Sequence, residues 1–400
     1  MADILEPPIN KKFLESVLKC HFRTNLKVSN LALSDAASIG ENFLSTLFRV
    51  VINYELENGK EMPSLSLVIK CCPKNNDSMN AVKLLRCFEN EIGFYGTVLP
   101  AINKLRYQEK ISAKSVHASL VPNPVLMFED LTTLKYIMHP REVGLDLDHC
   151  LMVAEKFAYL HAASFAIYQN DPTILTVYEN GLFSKNNHSV TALSVGFNSL
   201  VESCKHWTNL NCYYTKLKSM KDNFLEDLFQ IMKPTGNFNV LNHGDCWINN
   251  IMFNYDQNGK VQNAVLVDFQ ILFFSSPSVD LHIFWATSPS LEVQEHHFNT
   301  FLGHYYNLLL RNLSKFDVNV NIPSREELHE DFKKRALCGL AAAVILLPLI
   351  KASKREDADF TNFLKNGSEN GFRYHCFNNK NYNQHISYLL QYYSSLGMFS

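Results

Sequence analysis

Between Ile251 and Val267 two apolar runs flank Asp256-Gln257-Asn258-Gly259-Lys260. Asn-Gly between apolar runs is a strong hairpin signal, because it suits the tight turn that joins two antiparallel strands. A hairpin turning at Asn258-Gly259 runs about eight residues back to Asn250 and about nine forward to Asp268, so these two polar side chains emerge at the same open end. Just upstream lies Asn242-His243-Gly244-Asp245-Cys246-Trp247-Ile248-Asn249-Asn250, which brings Asp245 to the same place.

Oxygen ligands of this kind suit a hard cation. Mg²⁺ takes carboxylate, amide and phosphate oxygens, which Asp268, Asn250 and a bound nucleotide offer together. Asp245 is then placed to accept the proton of an attacking hydroxyl. A lone Asp at a strand end is usually a cap or turn residue. Here four features must be explained at once: H-x-D-x-x-x-x-N, the hairpin, Asp268-Phe269-Gln270 after an apolar strand, and a second Asp-Leu pair at Asp280-Leu281.

The N-terminal part has a different period. From about Lys27 to Cys72 three strand-like runs, LKVSNLALSD, LSTLFRVVINYEL and SLSLVIKCC, are separated by turn material such as Glu57-Asn58-Gly59-Lys60, which reads as an antiparallel sheet. From Ser78 to about Leu99, Val82, Leu85, Phe88, Ile92, Tyr95 and Leu99 share one face, so one long helix is expected before Pro100. Glu91 falls in the middle of that apolar face, and an inward carboxylate needs a partner. Lys70, at the end of Leu65-Ser66-Leu67-Val68-Ile69, is the candidate; a strand Lys paired to a helix Glu holds nucleotide phosphates in kinases. Gly40, Asn42 and Ser45 lie between two strand runs, where a phosphate-covering loop would sit, though with one Gly. No GxxxxGK[ST] loop occurs. Pro124 to Phe128 resembles a further strand, and helical patterns dominate after Leu131. The expected division is a β-rich lobe over 1–128 and an α-rich lobe over 129–400, with a hinge at about 127–131.

Composition narrows the partners. With 37 Lys+Arg against 39 Asp+Glu, a net charge of -2 and no long block of one sign, nucleic acid and anionic membrane are unexpected. The start MADILEPPINKKF has no basic or apolar signal region, and Ala336 to Ile350 is too short to span a bilayer, so a cytoplasmic protein without a membrane span is expected. Ten cysteines without CxxC spacing read as reduced thiols. Asn76, Asn187, Asn312 and Asn366 head N-x-S/T triplets that matter only in the secretory pathway. His161 reads as a core residue; Trp207, Trp247 and Trp285 are candidates for an aromatic cage around a quaternary ammonium, with core packing the better reading of each, and His296-His297 lacks zinc-ligand spacing.

These residues resemble the ecdysteroid kinase-like family within the aminoglycoside phosphotransferase and choline kinase superfamily. The likeness is carried by G-E-N-F-x-S at Gly40, V-I-K at Lys70, E-I-G-F-Y from Glu91, F-E-D-L from Phe128, H-G-D-C-W-I-N-N from His243, V-D-F-Q from Val267 and S-P-S-V-D-L from Ser276. The resemblance covers nearly the whole chain in order. It implies an α+β, bilobal protein-kinase-like fold with ATP in the cleft: a small antiparallel-sheet lobe with one long helix, and a larger helical lobe carrying the catalytic hairpin. By the same resemblance Asp245 is the catalytic base, Asn250 and Asp268 bind Mg²⁺, and Lys70 with Glu91 binds phosphate. Met127, Phe128 and Glu129 belong to the hinge that holds adenine through its backbone, and His243 and Asp280 brace the catalytic loop. The implied activity is phosphoryl transfer to an ecdysteroid or another lipophilic alcohol, including dietary or xenobiotic compounds handled in detoxification. A choline- or ethanolamine-type kinase and a binding protein without turnover are the rivals. The acceptor site is expected from about 175 to 235 and 290 to 400, where no motif guides the reading.

Overall fold

The computed structural model describes residues 9–36, 44–73, 76–178, 181, 185, 187–236, 238–358, 360–365 and 367–399. The expected α+β architecture is present. Five strands, β1 (Leu26–Asp35), β2 (Thr46–Leu56), β3 (Leu65–Cys71), β4 (Ser115–Ser119) and β5 (Val125–Glu129), form one antiparallel sheet in the order β1-β2-β3-β5-β4.

Strand alternation gives this sheet two different faces. Val50, Ile52, Leu67, Ile69 and Met127 point to one side and bury Leu14, Val17 and Leu18 of a helix, Lys11–Phe22, that no sequence signal announced. Leu47, Arg49, Val68, Lys70 and Phe128 point to the other side, where a cavity opens. The sheet ends in a pinned connection. Asp130 caps a short helical turn, Leu131–Leu134, while its carboxylate accepts from Arg49 Nε at 2.8 Å and Ser66 Oγ at 2.7 Å.

The single helix expected from Ser78 to Leu99 is broken instead. A helix Asn76–Leu85 stops at Arg86, whose φ is 54°, and a second, Cys87–Gly93, runs into a π-turn at Phe94–Val98 and a last helical turn at Leu99–Ile102. Neither Gly nor Pro marks the break. Its cause is tertiary: the buried Asn90 amide donates to the Leu85 carbonyl and to the Gln270 carbonyl, both at 3.1 Å, which satisfies the helix end and ties it to the Asp268-Phe269-Gln270 segment.

The remainder is mainly helical. A 24-residue helix, Leu147–Asn170, is long and apolar enough to cross a membrane, but 83% of its apolar window is buried inside the fold, where it is the central core helix. The helix Ala336–Lys351 is buried along nearly its whole length, as its composition suggested. Pro348 lies inside it and leaves the carbonyl of Val344 without its usual donor. A crossing helix, Asn187–His206, approaches at that point through Gly196, where a Cβ would lie 2.3 Å from Val344 O. This close crossing positions the walls of the second cavity described below.

Short strands complete the frame. β6 (Ile137–Met138), β8 (Ile251–Tyr255) and β9 (Val261–Leu266) form one small sheet, and β7 (Val240–Asn242) pairs with β10 (Phe273–Ser275). The expected hairpin is the pair β8 and β9, closed where Asp256 Oδ1 accepts the N–H of Asn258 at 2.8 Å and of Lys260 at 2.9 Å.

Candidate active site

The hairpin brings Asn250 and Asp268 together at its open end. Asn250 precedes β8 and Asp268 follows β9, and the Val267 N–H donates to the Asn250 carbonyl at 3.0 Å. The Asn250 amide donates to the Asp245 carbonyl at 2.8 Å and to Asp245 Oδ2 at 3.2 Å. That orientation turns the Asn250 side-chain carbonyl oxygen away from Asp245. Asp268 has a φ of 69°, a left-handed backbone that costs a residue with a β-carbon about 1 kcal/mol or more.

The loop carrying Asp245 is held from beneath. Asp280, fully buried, accepts the N–H of His243 at 2.7 Å and of Gly244 at 2.8 Å, and its own N–H donates to Asn242 Oδ1 at 3.1 Å. Gly244 has φ 79°, and a Cβ there would lie 2.0 Å from the carbonyl of Ile271. His243 donates from Nε2 to the Val267 carbonyl at 2.9 Å, which couples the loop to the hairpin. His161 completes this frame from the central helix: its Nε2 is 3.2 Å from Asp280 Oδ2 and its Nδ1 2.8 Å from Tyr305 Oη. Sequence alone put His161 in the core, where it is, without revealing this partner.

Lys70 meets two carboxylates. Its Nζ lies 2.5 Å from Glu91 Oε2, the pairing expected, and also contacts Asp268 Oδ1. Burial by itself would lower the lysine pKa, but Asp268 and Glu91 outweigh it and hold Lys70 charged. Asp245 is in the opposite position. Burial, and then the Asp268 charge, push its carboxyl well above the ordinary range, and its Oδ1 is buried without a hydrogen-bond partner among the described residues.

Two cavities meet at this point. The larger, about 540 Å³, is walled by Ser45, Lys70, Glu91, Phe128 and Glu129, and Asn250 and Asp268 close one end of it. The smaller, about 80 Å³, shares Asn250 and Asp268 and adds Asp245, Trp247 and Gln270. Ala192, Ile345, Leu346 and Leu349 form an apolar wall opposite. A third cavity of about 320 Å³ adjoins the small one through shared Leu44, His188 and Phe360.

One expectation needs correction. Met127 does not line the large cavity: alternation along β5 sends its side chain into the core under the Lys11–Phe22 helix, and both edges of β5 are paired to β3 and β4. Trp247 and Trp285 are core residues, as expected, and Trp247 also lines the small cavity. Gly40 and Asn42 lie outside the described residues. Missed by sequence were Arg49, which lines the large cavity paired to Asp130 of the expected hinge, and every apolar residue of the small one.

Among the described residues no group of three or more His, Cys, Asp or Glu could hold a metal ion. A cation bound at Asn250 and Asp268 must therefore take most of its ligands from phosphate and water. That is the habit of Mg²⁺, so the residues present fit it.

The chain belongs to the ecdysteroid kinase-like family, whose model matches residues 39–318. Solved structures similar to it include a choline kinase from Cryptosporidium parvum, 14% identical, covering 97% of each chain with a TM-score of 0.49. An ethanolamine kinase from Plasmodium vivax is 12% identical, covers 92% of this chain and 84% of its own, and has a TM-score of 0.44. The choline kinase LicA from Streptococcus pneumoniae is 10% identical over 95% of this chain and 99% of its own, with a TM-score of 0.41. No curated protein sequence matches the chain.

Proposed function

We propose that the chain is a small-molecule kinase that uses ATP and Mg²⁺ to phosphorylate a hydroxyl of an ecdysteroid or another lipophilic alcohol. In this reading residues 1–128 form the nucleotide-binding lobe, and 129–400 the catalytic and acceptor-binding lobe. One observation carries it: a large cavity with a buried lysine and a small apolar cavity with Asp245 share Asn250 and Asp268 as their common wall. A phosphoryl group crossing that wall would pass from nucleotide to acceptor.

Each residue then has a task. Phe128 packs against the base, while the connection after Glu129 lies at the rim of the same cavity. Lys70, held by Glu91, exchanges its contact with Asp268 for the nucleotide phosphates, which frees the Asp268 carboxylate. Mg²⁺, when bound at Asn250 and Asp268, supplies charge neutralisation at the phosphates. Asp245 accepts the hydroxyl proton through the oxygen that has no partner, and Asn250 holds the rest of that carboxylate in place. Asp280, His243 and His161 keep the loop rigid, so that the acceptor oxygen and the phosphorus stay in line.

The acceptor side supports a lipophilic alcohol over a cation. Apart from Asp245 and Asp268 no carboxylate lines the small cavity or its neighbour among the described residues, and the opposite wall is aliphatic. A choline-type acceptor would want a carboxylate beside its ammonium. The intact set of Lys70, Asp245, Asn250 and Asp268 speaks against a silent binding protein. Ten cysteines without CxxC spacing, eight of them buried, suit a reducing cytoplasm. The deciding experiment is acceptor-dependent ADP release with Mg²⁺ and ATP across ecdysteroids, other lipophilic alcohols, choline and aminoglycosides. A lipophilic alcohol should be the best acceptor; a clear preference for choline or an aminoglycoside sinks the substrate reading.

A further inference from the structure

We propose that Gln270 recognises the acceptor, and that the acceptor carries a second hydroxyl beside the one that is phosphorylated. This rests on the kinase reading above for the location of the acceptor, but on separate atoms.

Gln270 is 4% exposed and lines the small cavity. It is fixed on both sides by its neighbours, since Phe269 stacks on Phe94 with ring centroids 3.8 Å apart and Ile271 is fully buried. Its main-chain carbonyl accepts from the Asn90 amide at 3.1 Å. Its side-chain Nε2 donates to Asp268 Oδ2 at 3.1 Å. An ionised carboxylate only accepts hydrogen bonds, so Asp268 dictates which end of the amide faces it. The other end, Oε1, is therefore turned away from Asp268. It is buried and has no donor among the described residues.

Asp245 Oδ1 is the second such atom on the same cavity. Two buried oxygen acceptors, each without a donor, make an unusual lining. Leaving a buried acceptor unpaired costs about 1–3 kcal/mol, so the natural occupant should bring donors to both. One hydroxyl satisfies only Asp245, as nucleophile. A neighbouring hydroxyl on the next carbon or the one after would donate to Gln270 and lock the first in line for transfer.

Cavity size supports a slender diol end. At about 80 Å³ the space is roughly half of the ~150 Å³ that accommodates a benzene ring. Two hydroxyls on a chain fit it, and the bulk of the molecule would extend past Leu44, His188 and Phe360 into the adjoining 320 Å³.

The test compares a vicinal octanediol with octanol as acceptors, by kcat/KM with Mg²⁺ and ATP and by calorimetric binding. Wild type, Gln270→Met and Gln270→Glu are each scored by the ratio between the two acceptors, so any loss through Asp268 cancels. Wild type should prefer the diol by about tenfold, Gln270→Met should handle both within about twofold, and Gln270→Glu, which keeps an oxygen, should retain part of the preference. Equal use of both acceptors by the wild type, or a full preference surviving in Gln270→Met, overturns the proposal while the kinase reading stands. Tighter diol binding without turnover upholds Gln270 and removes the kinase reading. If neither compound binds or reacts, the proposal is overturned. Should Gln270→Met fail to fold, wild type and Gln270→Glu still decide it.

Discussion

The two cavities that share Asn250 and Asp268 are built in different ways. The larger is walled by charged residues within short motifs: Lys70 at a strand end, Glu91 on the helix facing it, Asp268 after the hairpin. The smaller is walled by aliphatic side chains of two helices that cross at Gly196 and Val344. Phosphates demand fixed charges at fixed places, and that demand leaves a pattern in the sequence. An apolar acceptor demands only shape, which many different aliphatic residues supply equally well. On the proposed reading the chemistry of the first cavity is therefore local, and the selectivity of the second is a property of packing.

Four changes would break or sharpen this contrast. Asp268→Asn, on the shared wall, should abolish phosphotransfer and weaken Mg²⁺-nucleotide engagement, because a carboxylate is lost at the cation. Unchanged turnover across a Mg²⁺ titration removes Asp268 from the site. Asp245→Asn keeps size but not proton affinity, so turnover should fall about 10²-fold or more with nucleotide affinity near normal. Full activity on every acceptor would overturn the assignment of the base. Lys70→Met should weaken nucleotide use by raising KM for ATP about tenfold or more, with the acceptor KM little changed. A matched rise in acceptor KM would mean the two cavities are not separable.

The smallest effect concerns the helix that walls the acceptor cavity. It ends in Lys351, buried with no hydrogen-bond partner on its Nζ among the described residues, and burial lowers its pKa from 10.5 to about 8. Between those values the unfolded chain binds more protons than the folded one, so this residue makes stability rise as pH climbs from about 8 toward 10.5. Lys351→Met should lack that rise and be more stable near pH 7 by about 1–3 kcal/mol. Denaturant midpoints of both proteins across the window measure it. Parallel pH profiles would mean that Lys351 finds a charge partner in solution.

Much of the candidate site's geometry was legible because its logic is local. An Asn-Gly turn between apolar runs fixes where Asn250 and Asp268 emerge, and the alternation of β3 turns Lys70 to the same face as Val68. Glu91 was read correctly as inward even though the long helix it was placed on does not exist. The segment Cys87–Gly93 keeps the same local phase, and only its connection to Asn76–Leu85 is broken. Met127 was misread because a backbone role was carried over without asking whether β5 had a free edge.

By itself the sequence determined the period-two strands, the hairpin and the order in which Lys70, Asp245, Asn250 and Asp268 follow one another, since each depends on residues within one turn or strand. Tertiary structure alone decided the break at Arg86, the joining of His161 to Asp280 and the aliphatic wall of the smaller cavity. Those depend on contacts between residues far apart in the chain, such as Asn90 with Gln270 and Gly196 with Val344, and a pattern of period 2 or 3.6 carries no information about which distant surface an element will meet.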